Sequence, residues 1–171
     1  MQKWNIGDTV VHGRDGVCVI EDITEMTVAD GSRPYYVLSP VYDKGGRIYV
    51  PADRDTGDVM RAPLSKDEIN SLIDSIPDQD NAWIDNEKLR QKEYSKVICE
   101  GDNADLIGVI SALFEKRTEK EHAGRKFHAA DERMLSEAQK ILHGEFAYVL
   151  GISPEDVPGY IHTRLHADSH S

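Results

Sequence analysis

The sequence has few cysteines and no long apolar run, and both shortages narrow the class of protein. Cys18 and Cys99 are far apart and lack CxxC spacing, so neither a disulfide framework nor a zinc site is expected, and we interpret both as buried thiols. The longest apolar run, residues 106–114, is far shorter than the ~20 residues of a membrane span. The start MQKWNIGD contains no apolar signal core. We therefore expect a cytoplasmic protein without membrane association.

A general excess of basic residues is also missing. The formal net charge is −11, which argues against a general nucleic-acid binder, because nonspecific affinity for phosphate comes from lysine and arginine. Two short segments are nevertheless locally basic. Their cations are Lys88, Arg90, Lys92 and Lys96 in residues 88–96, and Lys116, Arg117, Lys120, Arg125 and Lys126 in residues 116–126. On charge alone, a solvated helix surface is the simpler interpretation.

Recognisable catalytic motifs are missing as well, and we predict that the protein is not an enzyme and has no cofactor. His162, His166 and His170 have the i, i+4 spacing that can place metal-ligating imidazoles on one helix face. His166 and His170 fall in HADSHS (166–171), which we expect to be a disordered tail, and His162 lies just before it, so no metal site is predicted. Asp131 and Glu132 are interpreted as acidic residues that oppose a helix macrodipole.

Up to about residue 62 the pattern is that of strands and turns. The successive segments are VVH (10–12), the GRDG turn (13–16), VCVIEDI (17–23), the hairpin signal Asp30-Gly31, RPYYVLSP (33–40), the Gly45-Gly46 turn and RIYVP (47–51). Pro51 ends the last strand, since proline has no amide to donate to a ladder. Four or five short strands in about 60 residues predict a small, strongly bent, barrel-like antiparallel sheet.

After residue 64 the apolar spacing becomes helical. Ser65 and Glu68 form a capping box ahead of a first helix that Pro77 ends. Further helices are predicted over about 83–100, from Asp102 onward, over about 131–150, and after Ser153-Pro154. The helix over 83–100 has so few apolar residues that it resembles a binding surface more than a core helix.

These patterns predict an α+β protein with two domains. Residues 1–62 form the small sheet domain, residues 63–165 form a compact all-α bundle of about five helices, and residues 166–171 form the tail.

Blocks of the sequence resemble one known family. IGDTVVHGRDGVCVIEDI, YYVLSP and IYVP resemble the RNA-polymerase-interacting domain shared by CarD-type regulators and transcription-repair coupling factors. NAWIDNEKLRQKEYSKVICEGD and KRTEKEHAGRKFHAADERMLSEAQKILHGEFAYVLGI resemble the helical domain of the CarD family. A coupling factor would continue into helicase motifs, and the chain has no GxxxxGK[ST] phosphate loop, so the resemblance favours CarD.

The resemblance implies a Tudor-like domain that docks on the RNA polymerase beta subunit through an exposed sheet edge. It also implies a helical domain on promoter DNA at the upstream edge of the melted bubble, where Trp83 matches the family's minor-groove wedge. The protein would be a non-enzymatic, monomeric regulator that binds DNA weakly unless polymerase tethers it. The resemblance implies Met26 and Tyr49, with Arg47 beside them, for polymerase, and Trp83 for DNA. The cations of the two basic segments are expected to supply the contacts with the DNA backbone, and the predicted set is Lys88, Arg90, Lys116, Arg117, Lys120, Arg125 and Lys126.

Several alternatives stay open at this point. Trp83 could dock against neighbouring helices, and Tyr49 could belong to the core of the sheet domain. Because polar and acidic residues follow Trp83, either this residue precedes the regular helix, or phosphate contacts come mainly from Arg90 and the 116–126 segment. The protein could also be an interaction module on polymerase whose helical domain never touches DNA.

Overall fold

The computed structural model describes residues 4–29, 31–43, 45–53, 60–78, 83–100 and 102–167. The chain divides into two compact units, Met1–Pro63 and Leu64–Ser171. The first unit contains a sheet and the second contains helices, which confirms the predicted α+β arrangement. Asp30 of the predicted hairpin signal lies outside the described residues.

The described part of the first unit forms a five-stranded antiparallel sheet with strand order β4-β3-β2-β1-β5. The strands are β1 (Thr9–His12), β2 (Gly16–Val28), β3 (Gly31–Pro40), β4 (Ile48–Pro51) and β5 (Met60–Arg61). A 3-10 turn, Gly13–Asp15, connects β1 to β2. The register of β2 against β3 shifts between Ile20 and Asp22, and such a bulge increases the local bend of a strand.

One face of this sheet carries the core of the unit. Tyr36 and Leu38 of β3 point inward and are fully buried, as their alternation with Tyr35 and Val37 predicts. Cys18 lies in the same core, where burial and the nearby Asp15 charge raise the pKa of its thiol to about 12. Cys99, in the helical unit, is half-buried, so the prediction of two buried thiols holds fully for Cys18 alone.

Five α-helices form within the described residues of the second unit. They are α1 (Lys66–Ser75), α2 (Glu87–Glu100), α3 (Asn103–His122), α4 (Ala129–Leu150) and α5 (Val157–Ala167), with 3-10 turns at Ile76–Asp78 and Pro154–Asp156. The capping box is present, because Ser65 Oγ accepts from the Glu68 amide and Glu68 Oε1 accepts from the Ser65 amide, both at 3.1 Å. Asp102 caps α3 by accepting from the Asp105 amide at 2.8 Å.

Three helix limits differ from the prediction. α2 begins at Glu87 rather than Trp83, because Asn86 Oδ1 accepts from the Leu89 amide at 2.9 Å and caps the helix there. α4 begins at Ala129, two residues before the predicted Asp131. α5 continues through His166 to Ala167, where a disordered tail was expected, and residues 168–171 lie outside the described part of the chain.

The helical core is built from the inward faces of the five helices. Its fully buried side chains include Ile69, Ile73, Leu113, Leu135 and Phe146. Of the helices described, none has the length and apolar content that crossing a bilayer requires.

Candidate functional site

Trp83 lies in a segment without regular secondary structure just before α2, so the first of the two alternatives for its position is correct. The ring is half-buried and packs at the border of the helical core, with the Tyr94 ring edge-on at 6.4 Å between centroids. The Arg90 guanidinium carbon lies 4.3 Å from the ring centroid, and Lys116 Nζ lies 5.5 Å from it. Both distances are in the range of cation–π contacts. Trp83 therefore docks partly on neighbouring helices and keeps part of its surface open.

Arg90 occupies a different position from the one expected of a phosphate-contacting residue. It is 3% exposed, and its Nε and Nη2 donate to the two carboxylate oxygens of Asp131 at 2.9 and 2.8 Å. Its Nη1 donates to the backbone oxygens of Ile84 at 2.9 Å and Asp85 at 3.3 Å. An arginine with these partners does not reach a phosphate in this structure, so the expectation of a phosphate contact from Arg90 is revised.

Asp131 is the partner that sequence reasoning missed. It lies in the first turn of α4, as interpreted, but it is fully buried and holds Arg90 rather than only opposing the helix macrodipole. The sequence does contain an indication that Arg90 is buried. On α2 the inward face is formed at spacing i, i+4, i+8 by Arg90, Tyr94 and Ile98. An arginine on that face has to find an acid inside the fold.

The Tyr94 phenol belongs to the same group of contacts. Burial raises its pKa, and Asp131 acts in the same direction. A hydrogen bond with the Ile84 backbone and the Arg90 charge act in the opposite direction. The backbone of Ile84, the residue after Trp83, is thus hydrogen-bonded to both Arg90 and Tyr94.

Lys116 and Lys120 lie one turn apart on α3, on the side that faces Trp83. Lys116 is also 3.6 Å from Glu119 Oε1, and Lys120 Nζ lies 5.8 Å from the Phe127 ring centroid. Of the basic 116–126 segment, the structure therefore brings Lys116 together with Trp83.

The remaining cations of the predicted DNA-binding set are Arg117, Arg125, Lys126 and Lys88, and no contact with the Trp83 ring is described for them. Arg117 Nη1 donates to Glu132 Oε1 at 3.0 Å, so its charge is already paired. Arg125 and Lys126 are exposed in the connection between α3 and α4. Lys88 is exposed on the first turn of α2, on the side away from Arg90, and is not brought to Trp83.

In the sheet unit, the second half of β2 has one unpaired edge among the described strands. β1 pairs with β2 no further than Val19, whereas β3 pairs with β2 as far as Val28. Pro34 of β3 accepts from the Ala52 amide at 2.9 Å, so its backbone faces β4 and the opposed Glu25 faces away from β3. By alternation, the backbone groups of Ile23, Glu25 and Thr27 point to the open edge.

Two of the three predicted polymerase-contacting residues, Met26 and Tyr49, lie on the sheet face opposite the core. Tyr49 opposes Val37, which opposes Asp22, and Met26 is on the same face as Asp22 by two-residue alternation. Tyr49 is 48% exposed, which excludes the alternative that it is a core residue. Arg47 is also exposed, and its Nη1 donates to Glu21.

The histidines of the predicted i, i+4 series are partly described. His162 and His166 stack on α5 with 4.0 Å between ring centroids, and His170 lies outside the described residues. Within the part of the chain that the structure covers, no group of three or more histidine, cysteine, aspartate or glutamate side chains could hold a metal ion.

Two protein-family models match the chain. The model of the CarD-like/TRCF RID domain matches residues 4–62, which include the whole sheet. The model of the CarD C-terminal domain matches residues 71–162, which include Trp83 and the basic segments. The order of the two matches along the chain is the order of the two units.

Proposed function

The chain belongs to the CarD family of RNA-polymerase-interacting transcription factors, and we propose that it bridges polymerase and promoter DNA. The sheet unit docks on the polymerase beta subunit. The helical unit stabilises the open promoter complex through minor-groove contact at the upstream edge of the bubble. The domains of this family are non-catalytic, so the protein acts by binding.

The contact between Trp83 and Lys116 carries the DNA part of the proposal. A minor-groove wedge needs an apolar ring beside cations that hold the phosphate backbone, and the Lys116 ammonium is 5.5 Å from the ring centroid. Lys120, Arg125 and Lys126 continue the positive charge beyond Lys116. Arg117 is paired and Lys88 is on another side of α2, so we expect smaller contributions from these two.

The open edge of β2 supports the polymerase part of the proposal. The backbone groups of Glu25 and Thr27 face the open edge and are suited to strand addition, in which an extended segment of the partner adds one strand to the sheet. At Ile23 the amide already donates to Asp22 Oδ1 at 2.9 Å, so a partner strand would meet the carbonyl there or displace that side chain. Met26 and Tyr49 supply apolar contact area on the adjoining face. Arg47 would have to exchange Glu21 for an acidic group of the partner.

Tethering by polymerase explains how an acidic protein can act on DNA. With a net charge of −11, affinity for free DNA is weak, and docking supplies the effective concentration that brings Trp83 to the bubble. A monomer suffices, because one copy carries both surfaces.

The test compares Trp83→Ala and Tyr49→Ala in the full-length chain. Trp83→Ala should leave docking on polymerase unchanged and shorten the open-complex lifetime by roughly five- to a hundred-fold, the equivalent of a 1–3 kcal/mol base–aromatic contact. Tyr49→Ala should weaken docking itself. Thermal unfolding is the control. If Trp83→Ala lowered the free energy of unfolding by about 3–5 kcal/mol, the ring would be part of the core rather than a wedge.

A second candidate is a polymerase-bound interaction module that does not touch DNA. Two observations favour it. Arg90 is buried and bound to Asp131, so it is not available to a phosphate, and Lys88 points away from the side of α2 that carries Arg90. Normal open-complex lifetimes in a folded, polymerase-bound Trp83→Ala variant would select this candidate over the first.

A further inference from the structure

The Arg90 side chain contacts the Trp83 ring and two other parts of the helical unit. Its Nε and Nη2 hold the Asp131 carboxylate of α4, and its guanidinium carbon lies 4.3 Å from the ring centroid. Its Nη1 donates to the backbone oxygens of Ile84 and Asp85. One side chain thus contacts the ring, the backbone that follows the ring, and the first turn of α4.

The geometry of a guanidinium makes these contacts depend on one another. Its donors are arranged in a rigid planar fork, so a bidentate bond to Asp131 through Nε and Nη2 also sets the direction of Nη1. Nη1 is then aimed at the Ile84 oxygen, 2.9 Å away. An ion pair that served stability alone would need the Asp131 contacts and nothing more.

Stability alone is also a weak reason for this pair. Arg90 and Asp131 are both buried, and a buried ion pair is often no more stabilising than apolar side chains of similar volume. What an apolar pair could not do is hold two backbone oxygens and place a flat cation against an indole ring.

We propose that Arg90, locked in place by Asp131, is the positioning residue for Trp83. It sets the depth and tilt of the ring before DNA is present, so that less side-chain and backbone freedom is lost when the ring enters the groove. The consequence for transcription rests on the function proposed above, whereas the fixing of the ring does not.

The test measures the mobility of Trp83 directly. Trp4 is the other tryptophan of the chain, so a Trp4→Phe parent leaves Trp83 as the sole source of tryptophan emission. Acrylamide quenching and anisotropy decay are recorded where circular dichroism shows the chain to be folded. The variants are Arg90→Lys, which keeps a cation but not the fork, and Asp131→Asn, which keeps the shape but not the charge.

Glu145→Gln is the matched control. Glu145 is also a buried carboxylate on α4, but its described partners are Leu64 and Asn103 rather than the Trp83 segment. We expect Arg90→Lys and Asp131→Asn to shift quenching and anisotropy toward the values of the unfolded chain. Glu145→Gln should shift neither, even where it lowers the unfolding temperature. Should Asp131→Asn fail to fold, Arg90→Lys gives the same comparison.

Open-complex lifetime then separates this proposal from the function it rests on. If the ring is released and the lifetime falls toward that of Trp83→Ala, positioning is supported. A released ring with full lifetimes in both Arg90→Lys and Trp83→Ala would support positioning and reject the wedge function. A ring as immobile in Arg90→Lys and Asp131→Asn as in the parent, or equally released by Glu145→Gln, would overturn the proposal.

Discussion

Glu145 and Asn103 are hydrogen-bonded inside the helical unit, where Glu145 Oε1 accepts from the Asn103 side-chain nitrogen at 3.0 Å. The second carboxylate oxygen accepts from the Leu64 backbone amide at 2.9 Å. One fully buried carboxylate on α4 therefore joins the first residue of α3 to the chain just ahead of α1. Its burial is tolerated because both oxygens have donors.

Glu145→Ala should accordingly be among the more destabilising changes in the helical unit. It leaves the Leu64 amide and the Asn103 side chain without this acceptor and opens a cavity, so the free energy of unfolding should fall by about 2–4 kcal/mol. Glu145→Gln, which keeps one acceptor oxygen, should cost about 1 kcal/mol. Chemical denaturation of both variants checks the order, and equal losses would contradict it.

Ser65 and Ser153 each occupy the N-cap position of a helical segment, and their substitution provides a matched prediction on stability. Ser65 caps α1 through its side chain, whereas Ser153 occupies the equivalent position before the Pro154–Asp156 turn without a side-chain capping bond. Ser65→Ala should lower the free energy of unfolding by about 1 kcal/mol, and Ser153→Ala should change it by less than about 0.5 kcal/mol. The comparison fails if Ser153→Ala is the more costly substitution in denaturant titrations.

His143 makes stability depend on pH. Burial lowers the pKa of its imidazole from the ordinary value of 6.5, so the unfolded chain takes up this proton first as the pH falls. The stabilising contribution is complete above about pH 6.5 and is lost as the pH decreases toward the folded-state pKa. In His143→Gln, the fall in unfolding free energy between about pH 7 and pH 5 should be shallower than in the parent. Identical slopes would show that the proton taken up belongs to another group.

The two cysteines should differ in reactivity. With its pKa raised to about 12, the Cys18 thiol has a thiolate fraction near 10⁻⁴ at about pH 8, and it is buried as well. Cys99 is half-buried. Alkylation of the folded protein should therefore modify Cys99 first, and Cys18 only at the rate of unfolding. Peptide mass analysis over time distinguishes the two, and equal rates in the folded state would refute the burial of Cys18.

Features that depend on neighbouring residues in the sequence were predicted well. The Ser65–Glu68 capping box, the Asp102 cap of α3 and the inward alternation of Tyr36 and Leu38 are all present, because each involves positions at most a few residues apart. The exact start of α2 was predicted less well, since it depends on Asn86 capping one turn later than Trp83.

The role of Arg90 could not be predicted in the same way. Its partner Asp131 is 41 positions away, and periodicity carries no information on which acid meets which base across a helical unit. The position of Arg90 in line with Tyr94 and Ile98 indicated burial, but its positive charge near Trp83 suggested a phosphate contact instead. β5 was missed because two residues, Met60 and Arg61, are too short for a period to be recognised.

The last prediction separates the charge of Lys116 from the ring of Trp83. If Lys116 contacts a phosphate beside the wedge, Lys116→Gln should reduce the salt dependence of open-complex stability by about one unit of log–log slope. Trp83→Ala should lower that stability at every salt concentration and leave the slope unchanged, because the ring carries no charge. Lys96→Gln is the control for Lys116→Gln, since Lys96 is an exposed lysine on α2 for which we propose no DNA contact. Lifetimes measured over a series of salt concentrations give the slopes of the three variants and of the parent. If the Lys116→Gln and Lys96→Gln slopes both equal that of the parent, Lys116 does not contact a phosphate. That result would favour the interaction module that does not touch DNA.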